Sequence, residues 1–572
     1  MTPKRILFNP DEYKFSDTSF SKLMQKRIRK ILIICSSYDY FMLEEDGRID
    51  EQIFNEYASL NLRYPPVFIH ADSHTRAFEI LEEERIDLVI EMLSTGEVDT
   101  FELAKLIKLR YNEIPIVVLT HFSREVSLKL ENEDLSAIDY VFSWLGNADL
   151  LLAIIKLIED KMNAQHDVHE IGVQVILLVE DSIRYISSYL PVLYKIIFVQ
   201  SREFMKEGLN EHQKMLRMRG RPKILLATNY DEAVNLYHRY KENVLGVISD
   251  VSYKKNPLER DNKTKAGFRL AQLIKSEDRH LPILLQSSDI ENQKIAKELN
   301  AGFIHKYSKN LSHEVKQYIN RYFMFGEFIF REPETLEEKC VATDLQSLQQ
   351  IIMTIPDNVF KYHTERNDFT KWLNSRALFA LARMFRSIKT SDFTSLDEAR
   401  KYIYRAIANY RTSKGRGVIA QFDRERYDKF MLFTRIGDGS VGGKARGLAF
   451  INTLIKKYSL HNKFEDVMIT IPRTIVLSTD IFEQFMESNQ LYQKALSTAS
   501  DKEILNEFVS ASLPADLEKD LEIIVKSFHK PIAVRSSSKL EDSHYQPFAG
   551  IYNTYMVPKV EDKDQMIQLL SD

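Results

Sequence analysis

The run Arg435-Ile-Gly-Asp-Gly-Ser-Val-Gly-Gly-Lys-Ala-Arg-Gly-Leu-Ala-Phe450 follows the apolar residues Phe430 to Phe433 and leads into a helical pattern. It reads as strand, glycine loop, helix. Gly437, Gly439, Gly442 and Gly443 carry no Cβ that would hold a phosphate off the backbone, and the helix N-terminus beyond them offers unpaired N–H groups. Lys444 adds a positive charge. Leu448, Ile451 and Ile455 recur at spacings of three and four, so one helix face docks on a sheet while the loop faces outward. A phosphate cradle is the expectation. A Walker A loop does not fit, because Asp438 stands where its first glycine belongs and Ala445 follows the lysine. Gly437, Gly439 and Gly442 spell a dinucleotide fingerprint, but that site also wants an acidic residue about 20 residues on, closing a second strand. The next strand-like run, Val467 to Leu477, starts late and ends in Ser478. Judged alone, the loop could also be a glycine-rich turn with no ligand.

Downstream, Pro531-Ile-Ala-Val-Arg-Ser-Ser-Ser-Lys-Leu-Glu-Asp542 is followed closely by Pro547-Phe-Ala-Gly-Ile-Tyr552. A short apolar strand delivers Arg535, which can fork onto phosphate oxygens, and the hydroxyls of Ser536, Ser537 and Ser538; Gly550 permits a further close backbone approach. In order and spacing, Gly442 to Lys444, Ile471-Pro472, Val534 to Ser537, Glu541-Asp542 and Phe548 to Gly550 resemble the N-terminal nucleotide-binding region of the phosphoenolpyruvate synthase and pyruvate phosphate dikinase family. The resemblance covers about the last quarter of the chain. It implies an ATP-grasp-type α+β fold, with ATP held by Gly442, Gly443, Lys444, Arg535, Ser536, Ser537 and Gly550. Synthases of this family continue Phe-Ala-Gly with glutamine, whereas Ile551 and Tyr552 stand closer to the related glucan dikinases, which leaves the acceptor open.

Composition bounds the rest. A chain of 572 residues implies about four domains, and 44% hydrophobic residues suffice for ordinary cores. A formal charge of −4, with Lys and Arg scattered among Asp and Glu, gives no footprint for nucleic acid. Only Cys35 and Cys340 occur, which excludes a disulfide framework or a cysteine-built zinc site and suits the cytoplasm. The start lacks a signal-peptide core, and apolar runs such as Leu150 to Ile155 are too short to span a bilayer.

From 28 to 165 short apolar strands alternate with helical patterns, the mark of a parallel α/β sheet, after an N-terminal extension of residues 1–27. The strands are read at Ile31 to Cys35, Val67 to His70, Leu88 to Glu91, Ile116 to Thr120 and Tyr140 to Phe142. The rhythm resembles a response-regulator receiver, a flavodoxin-like fold, without its chemistry. Ser36-Ser37 replace the acidic pair after strand one, Met92 sits near the acceptor position beside Glu91, Trp144 takes the place of the lysine, and only Thr120 survives. The expectation is a degenerate receiver used for packing or interaction. Asn163 to Glu170 reads as a polar linker.

A second alternating domain runs from 172 to 325, with strands at Val175 to Val179, Ile224 to Ala227, Gly246 to Ser249, Ile283 to Leu285 and Phe303 to His305. It keeps the receiver parts. Glu180 and Asp181 close strand one, Asp250 closes strand three, and Ser287 and Lys306 follow strands four and five. Carboxylates converging at the carboxyl ends of adjacent parallel strands suit Mg²⁺, so Glu180, Asp181 and Asp250 are the expected metal ligands. The resemblance implies that Asp250 is the phosphoacceptor, with Lys306 balancing the phosphoryl charge and Ser287 bonding it. Tyr307 stands where receivers have proline, Ser252 to Lys265 is an insertion, and Tyr185 to Gly220 carries apolar residues at helical spacing, read as core or partner-helix surface. A histidine kinase or another protein is the expected partner of these domains.

From 331 to 426 the pattern turns helical with no strand rhythm, and is read as a connector. His363, Glu365 and Asp368 match no metal-ligand spacing, so a polar helix start near Asn367-Asp368 is expected there. Residues 427–572 then form the first part of the nucleotide domain. The resemblance implies the regulatory and ATP-binding part of a dikinase that phosphorylates a histidine from ATP and passes the phosphoryl group to pyruvate. Because the sequence ends at Asp572 and His544 is its last histidine, this chain alone is expected to be inactive. The alternative is a signalling or scaffold protein whose receivers act and whose nucleotide region only senses ATP.

Overall fold

Five apolar runs in the first half of the chain become a parallel sheet: β1 (Lys30–Ile34), β2 (Val67–Ala71), β3 (Leu88–Met92), β4 (Ile116–Thr120) and β5 (Tyr140–Ser143), in the order β2-β1-β3-β4-β5. Five more repeat the arrangement: β6 (Val175–Val179), β7 (Lys223–Ala227), β8 (Val244–Asp250), β9 (Ile283–Ser287) and β10 (Gly302–His305), in the order β7-β6-β8-β9-β10. Every pairing in both sheets is parallel. β3, β4, β6, β7 and β9 are buried along their whole length, which is why they read as continuous apolar runs without alternation. The order 2-1-3-4-5 is that of the flavodoxin-like fold, whose ligands sit at the carboxyl edge where strand order reverses. The computed structural model describes residues 9–10, 13, 15, 18–44, 48–60, 62–93, 99–120, 133–144, 146, 148–256, 264–386, 388–427, 430–460, 463–464, 467–537 and 553–571.

Both sheets belong to one compact unit, built from Ser16–Lys206 and His212–Lys401. One hydrophobic cluster runs through them from Ile28 to Phe325. Its centre is the helix Ala148–His166, in which every residue from Leu150 to Asp160 is buried, as befits a helix covered all round. That helix packs against the helices Ile49–Ser59 and Ile183–Met205 and along β7. The stripe after Tyr185 is core: Ile186, Leu190, Leu193, Ile197 and Phe198 are buried.

The polar stretch 163–170 is not a linker. The helix continues to His166 and through a wider turn, Asp167–Ile171, ending at Gly172 with φ 99°. Its polar groups face inward because they have buried partners. Asp160 accepts both Nη atoms of Arg221 at 2.9 Å, the Tyr194 hydroxyl at 2.9 Å and the Ile224 N–H at 3.0 Å. Lys223 Nζ meets Asp167 at 2.9 Å with both side chains fully buried. The end of the N-terminal extension is laced to the same helix, since the N–H groups of Met24, Lys26 and Ile28 donate to Asp167, Asn163 and Glu159.

The segment read as a helical connector opens on an antiparallel hairpin, β11 (Phe328–Arg331) and β12 (Glu338–Ala342). Phe328 and Phe330 are buried and alternate with less buried neighbours, a two-residue period too short to register beside the helices that follow. Those helices are Leu345–Ile351, Asp357–Glu365, Asp368–Ser375, Phe379–Phe385 and Leu396–Gly415. His363 is a structural histidine here. Its Nδ1 lies 2.8 Å from Asp368 Oδ2, and its Nε2 accepts the Arg331 N–H at 2.9 Å. The helix beginning at Asp368 follows Asn367 at φ 59°, in line with the expected polar helix start.

The second unit holds Phe8–Phe15, Glu207–Glu211 and Tyr402–Asp572, so part of the N-terminal extension joins the nucleotide region. Asn409 Nδ2 donates to the carbonyls of Pro10 and Tyr13, and the rings of Phe15 and Tyr410 meet edge to face at 5.0 Å. Its strands are β13 (Ala420–Gln421), β14 (Phe433–Ile436) and β15 (Thr474–Leu477), all parallel, and the antiparallel pair β16 (Ile532–Arg535) and β17 (Thr554–Val557). The strand before the glycine loop thus begins at Phe433, where the run Phe430 to Phe433 ends.

Candidate phosphoacceptor and nucleotide sites

At the carboxyl edge of the second sheet, Glu180 and Asp181 leave β6, Asp250 ends β8, Ser287 ends β9 and Lys306 follows β10. The ligand oxygens of Glu180, Asp181 and Asp250 lie within 4.8 Å of one another. Lys306 Nζ bridges the cluster, 2.6 Å from Glu180 Oε2 and 2.8 Å from Asp250 Oδ2, and sits 4.1 Å from the ring centre of Tyr185. Ser287 Oγ accepts Asn292 Nδ2 at 2.8 Å and the Asp289 N–H at 3.1 Å, which leaves its own proton free to donate. Burial and the neighbouring Asp250 charge push the Asp181 carboxyl up to about 6, and the same two causes raise Glu180. Burial works against the Lys306 ammonium, but Glu180 and Asp250 outweigh it and raise its pKa.

The donor set fits Mg²⁺. Three carboxylates converge, and Asp181 Oδ2 is buried with no hydrogen-bond partner among the described residues, so a hard cation would satisfy an oxygen that the protein leaves bare. Gly267 holds the acceptor strand from behind, since a Cβ there would come within 2.1 Å of the Asp250 carbonyl oxygen. Of the insertion Ser252 to Lys265, residues 257–263 lie outside the described residues. Tyr307, where receivers have proline, is exposed.

Register shows which residues of the first sheet stand at the corresponding places. The Cys35 N–H bonds Ala71 O as the Glu180 N–H bonds Ala227 O, and the Trp144 N–H bonds Thr120 O as the Lys306 N–H bonds Ser287 O. Likewise the Leu93 N–H bonds Leu119 O as the Val251 N–H bonds Gln286 O, which places Met92 at the acceptor position. The acidic pair is therefore replaced by Cys35 and Ser36, one residue earlier than the sequence suggested, because β1 closes at Ile34. Thr120 holds the hydroxyl position. Glu91 is one place before the acceptor and buried, and burial pushes its carboxyl up to about 9.

In the second unit, Gly442, Lys444 and Ser537 meet at one helix N-terminus. The helix Gly443–Lys457 starts after Gly442, Lys444 lies in its first turn, and the Ala445 N–H donates to Ser537 Oγ at 3.1 Å. Gly442 is packed so tightly on Ser537 that a Cβ would lie 1.2 Å from its carbonyl oxygen. Arg535 is the exposed last residue of β16, and Ser536 Oγ is buried with no partner among the described residues. Ser538, Glu541-Asp542 and Phe548 to Gly550 lie outside the described residues, so the structure does not place Gly550.

The four glycines of the loop do not share one task. The N–H groups of Asp438 and Gly439 donate to Asp480 at 2.9 and 3.0 Å, and that of Ser440 to Thr479 Oγ1 at 3.1 Å. A Cβ on Gly437 or Gly439 would collide with Asp480, so these glycines admit a carboxylate of the chain itself, and only the end from Gly442 onward is left for a phosphate. Burial opposes the Asp480 charge, but the Ser478 hydroxyl and the two loop amides outweigh it and hold its carboxyl below the ordinary range. Asp480 was not singled out in the sequence. The signal was Ser478-Thr479-Asp480 directly after a strand, the composition of a helix cap.

Residues 438–571 match the family model described as pyruvate phosphate dikinase, AMP/ATP-binding domain. The class defined by fold and match is a chain with two flavodoxin-like parallel α/β domains and a segment similar to the AMP/ATP-binding domain of an ATP-dependent phosphotransferase family. No curated protein matches the chain. Among solved structures, it is similar to a probable two-component system response regulator/GGDEF domain protein at 15% identity and TM-score 0.22, covering 50% of this chain and 96% of that one. A second structure of that description matches at 16% identity and TM-score 0.22, covering 51% of this chain and 98% of the other. No helix among the described residues is long and apolar enough to cross a membrane.

Proposed function

We propose that this chain carries the receiver and ATP-binding parts of a phosphoenolpyruvate synthase-like dikinase, in which ATP phosphorylates a histidine and the phosphoryl group then passes to pyruvate. The observation that carries this reading is the meeting of Gly442 with Ser537 at the N-terminus of the helix Gly443–Lys457, beside Lys444. Backbone amides, a helix dipole, a lysine and the Arg535 fork form an electropositive corner suited to a nucleotide's phosphates. The domains in this proposal are 1–27, 28–165, 172–325, 331–426 and 427–572, and the address is cytoplasmic. Calorimetry with ATP and Mg²⁺ tests it: Lys444→Ala and Arg535→Ala should each weaken binding, Arg535→Ala more, and titrations indistinguishable from the parent would refute the site.

A second reading, that the receivers are themselves the signalling part, is favoured by the completeness of the Asp250 cluster. In it, Asp250 Oδ2 attacks the phosphorus of a phosphodonor and the donor group leaves. Glu180, Asp181 and Asp250 would hold Mg²⁺, which when bound offsets charge on a phosphoryl group. Lys306 would pair with the new phosphoryl oxygens in place of the Asp250 carboxylate, and Ser287 would donate its hydroxyl proton to one of them. Beryllofluoride with Mg²⁺ should shift the resonances of Ser287 and Lys306 in the parent and leave Asp250→Asn unmoved.

A further inference from the structure

The first unit holds a cleft of about 60 Å³ lined by helix and loop residues. Its lining brings together chain regions distant in sequence. Arg27 comes from the segment before β1, Arg63 and Tyr64 from the approach to β2, and Arg219 from the end of the helix Glu211–Arg219. Met215, Met218 and Phe198 form a buried apolar floor.

Not every cation of the lining is paired with a carboxylate among the described residues. Lys156 is paired with Glu159 at 2.7 Å, and Arg221 with Asp160 at 2.9 Å through two bonds. Arg27 and Arg219 have no carboxylate partner among the described residues: Arg27 Nε donates to the Met24 carbonyl at 3.3 Å and Arg219 Nη1 to the Phe20 carbonyl at 2.9 Å. Burial and the facing charges of Arg27 and Arg63 lower the Arg219 guanidinium to about 10, so the three cations feel one another. Converging guanidinia repel, and a fold that holds them together gains when an anion enters. Two guanidinium forks in one lining match the oxygens of a phosphate-type anion. Tyr64 of the lining is 72% exposed, so the cleft is open to solvent there.

We propose that this cleft binds a phosphate-type oxyanion, either inorganic phosphate or the phosphate of a small phosphomonoester, through Arg27 and Arg219. Calorimetry on the full chain tests it in a background of Lys444→Ala with Asp250→Asn, which weakens the two sites described above, so that only heats that depend on Arg219 are read as the cleft's. Inorganic phosphate and AMP are the two probes. Phosphate binding should survive in that background and weaken about tenfold or more on adding Arg219→Gln, since a charged hydrogen bond contributes about 1.5–3 kcal/mol. Arg219→Lys should fall between them. If Arg219→Gln unfolds by circular dichroism, Arg27→Gln on the rim takes its place. Tighter, Arg219-dependent binding of AMP assigns a phosphomonoester, and binding of phosphate alone assigns the inorganic ion. No heat with either probe, or heats unchanged by the arginine substitutions, would overturn the proposal.

Discussion

Lys306 holds two carboxylates that would otherwise face each other with no cation between them. Lys306→Met should therefore destabilise the first unit by about 3–5 kcal/mol, the range for removing one partner of a buried pair. Mg²⁺ should recover part of that loss and stabilise the variant more than the parent. Urea denaturation of both proteins with and without Mg²⁺ measures it, and a Mg²⁺-insensitive variant would argue against the metal assignment. Asp368 gives the pH counterpart. Burial opposes its charge, but the His363 hydrogen bond and Arg366 outweigh it and lower its carboxyl to about 2 from an ordinary 3.8. A depressed carboxyl stabilises above its unfolded pKa and loses that stabilisation as pH falls through its folded one. About 2 kcal/mol should disappear between pH 4 and pH 2. The difference in unfolding free energy between the parent and Asp368→Asn, followed across that window, should shrink as the pH drops. At this scale the sequence told much: Asp250, Ser287 and Lys306 sit together as read, because each directly ends or follows a strand. Asp480 did not show, since its partners Asp438 and Gly439 are about forty residues away and a carboxylate binding backbone amides leaves no complementary charge to notice.

The helix Ala148–His166 is the element on which the first unit turns. Asp160→Ala should cost about 3–5 kcal/mol, because Arg221 would stay buried without its carboxylate while Lys223 keeps only Asp167. Thermal and chemical denaturation would read it, and a loss below 1 kcal/mol would show that water reaches the pair. The strands of both sheets were legible because parallel strands buried on both faces announce themselves as apolar runs. The turn at 163–170 was not, since polar residues facing inward look like polar residues facing water until their partners are known. The glycine loop makes the opposite point. Its spacing marked a tight turn, but not that a second segment fills it. Gly442→Ala would drive a methyl into the Ser537 carbonyl, so it should abolish ATP binding with little change in the melting of the first unit, and ATP titration followed by calorimetry separates those outcomes.

Over the whole first unit, the two sheets share one hydrophobic cluster, so they should not melt separately. Scanning calorimetry of residues 16–401 should show one transition, and Asp160→Ala should lower it as a single step. Two resolved transitions would mean that the helix adheres to only one sheet. The same feature bears on engineering. A receiver-like domain with the Asp250 cluster is tempting as a portable cassette, to be cut at the nearest polar stretch and grafted elsewhere. Here that cut would fall inside Asn163 to Glu170, strip β7 of the helix that covers it and strand Arg221 and Lys223. The upstream copy, with Cys35, Ser36 and Met92 in place of the carboxylates, is the scaffold without which the downstream one cannot be transplanted.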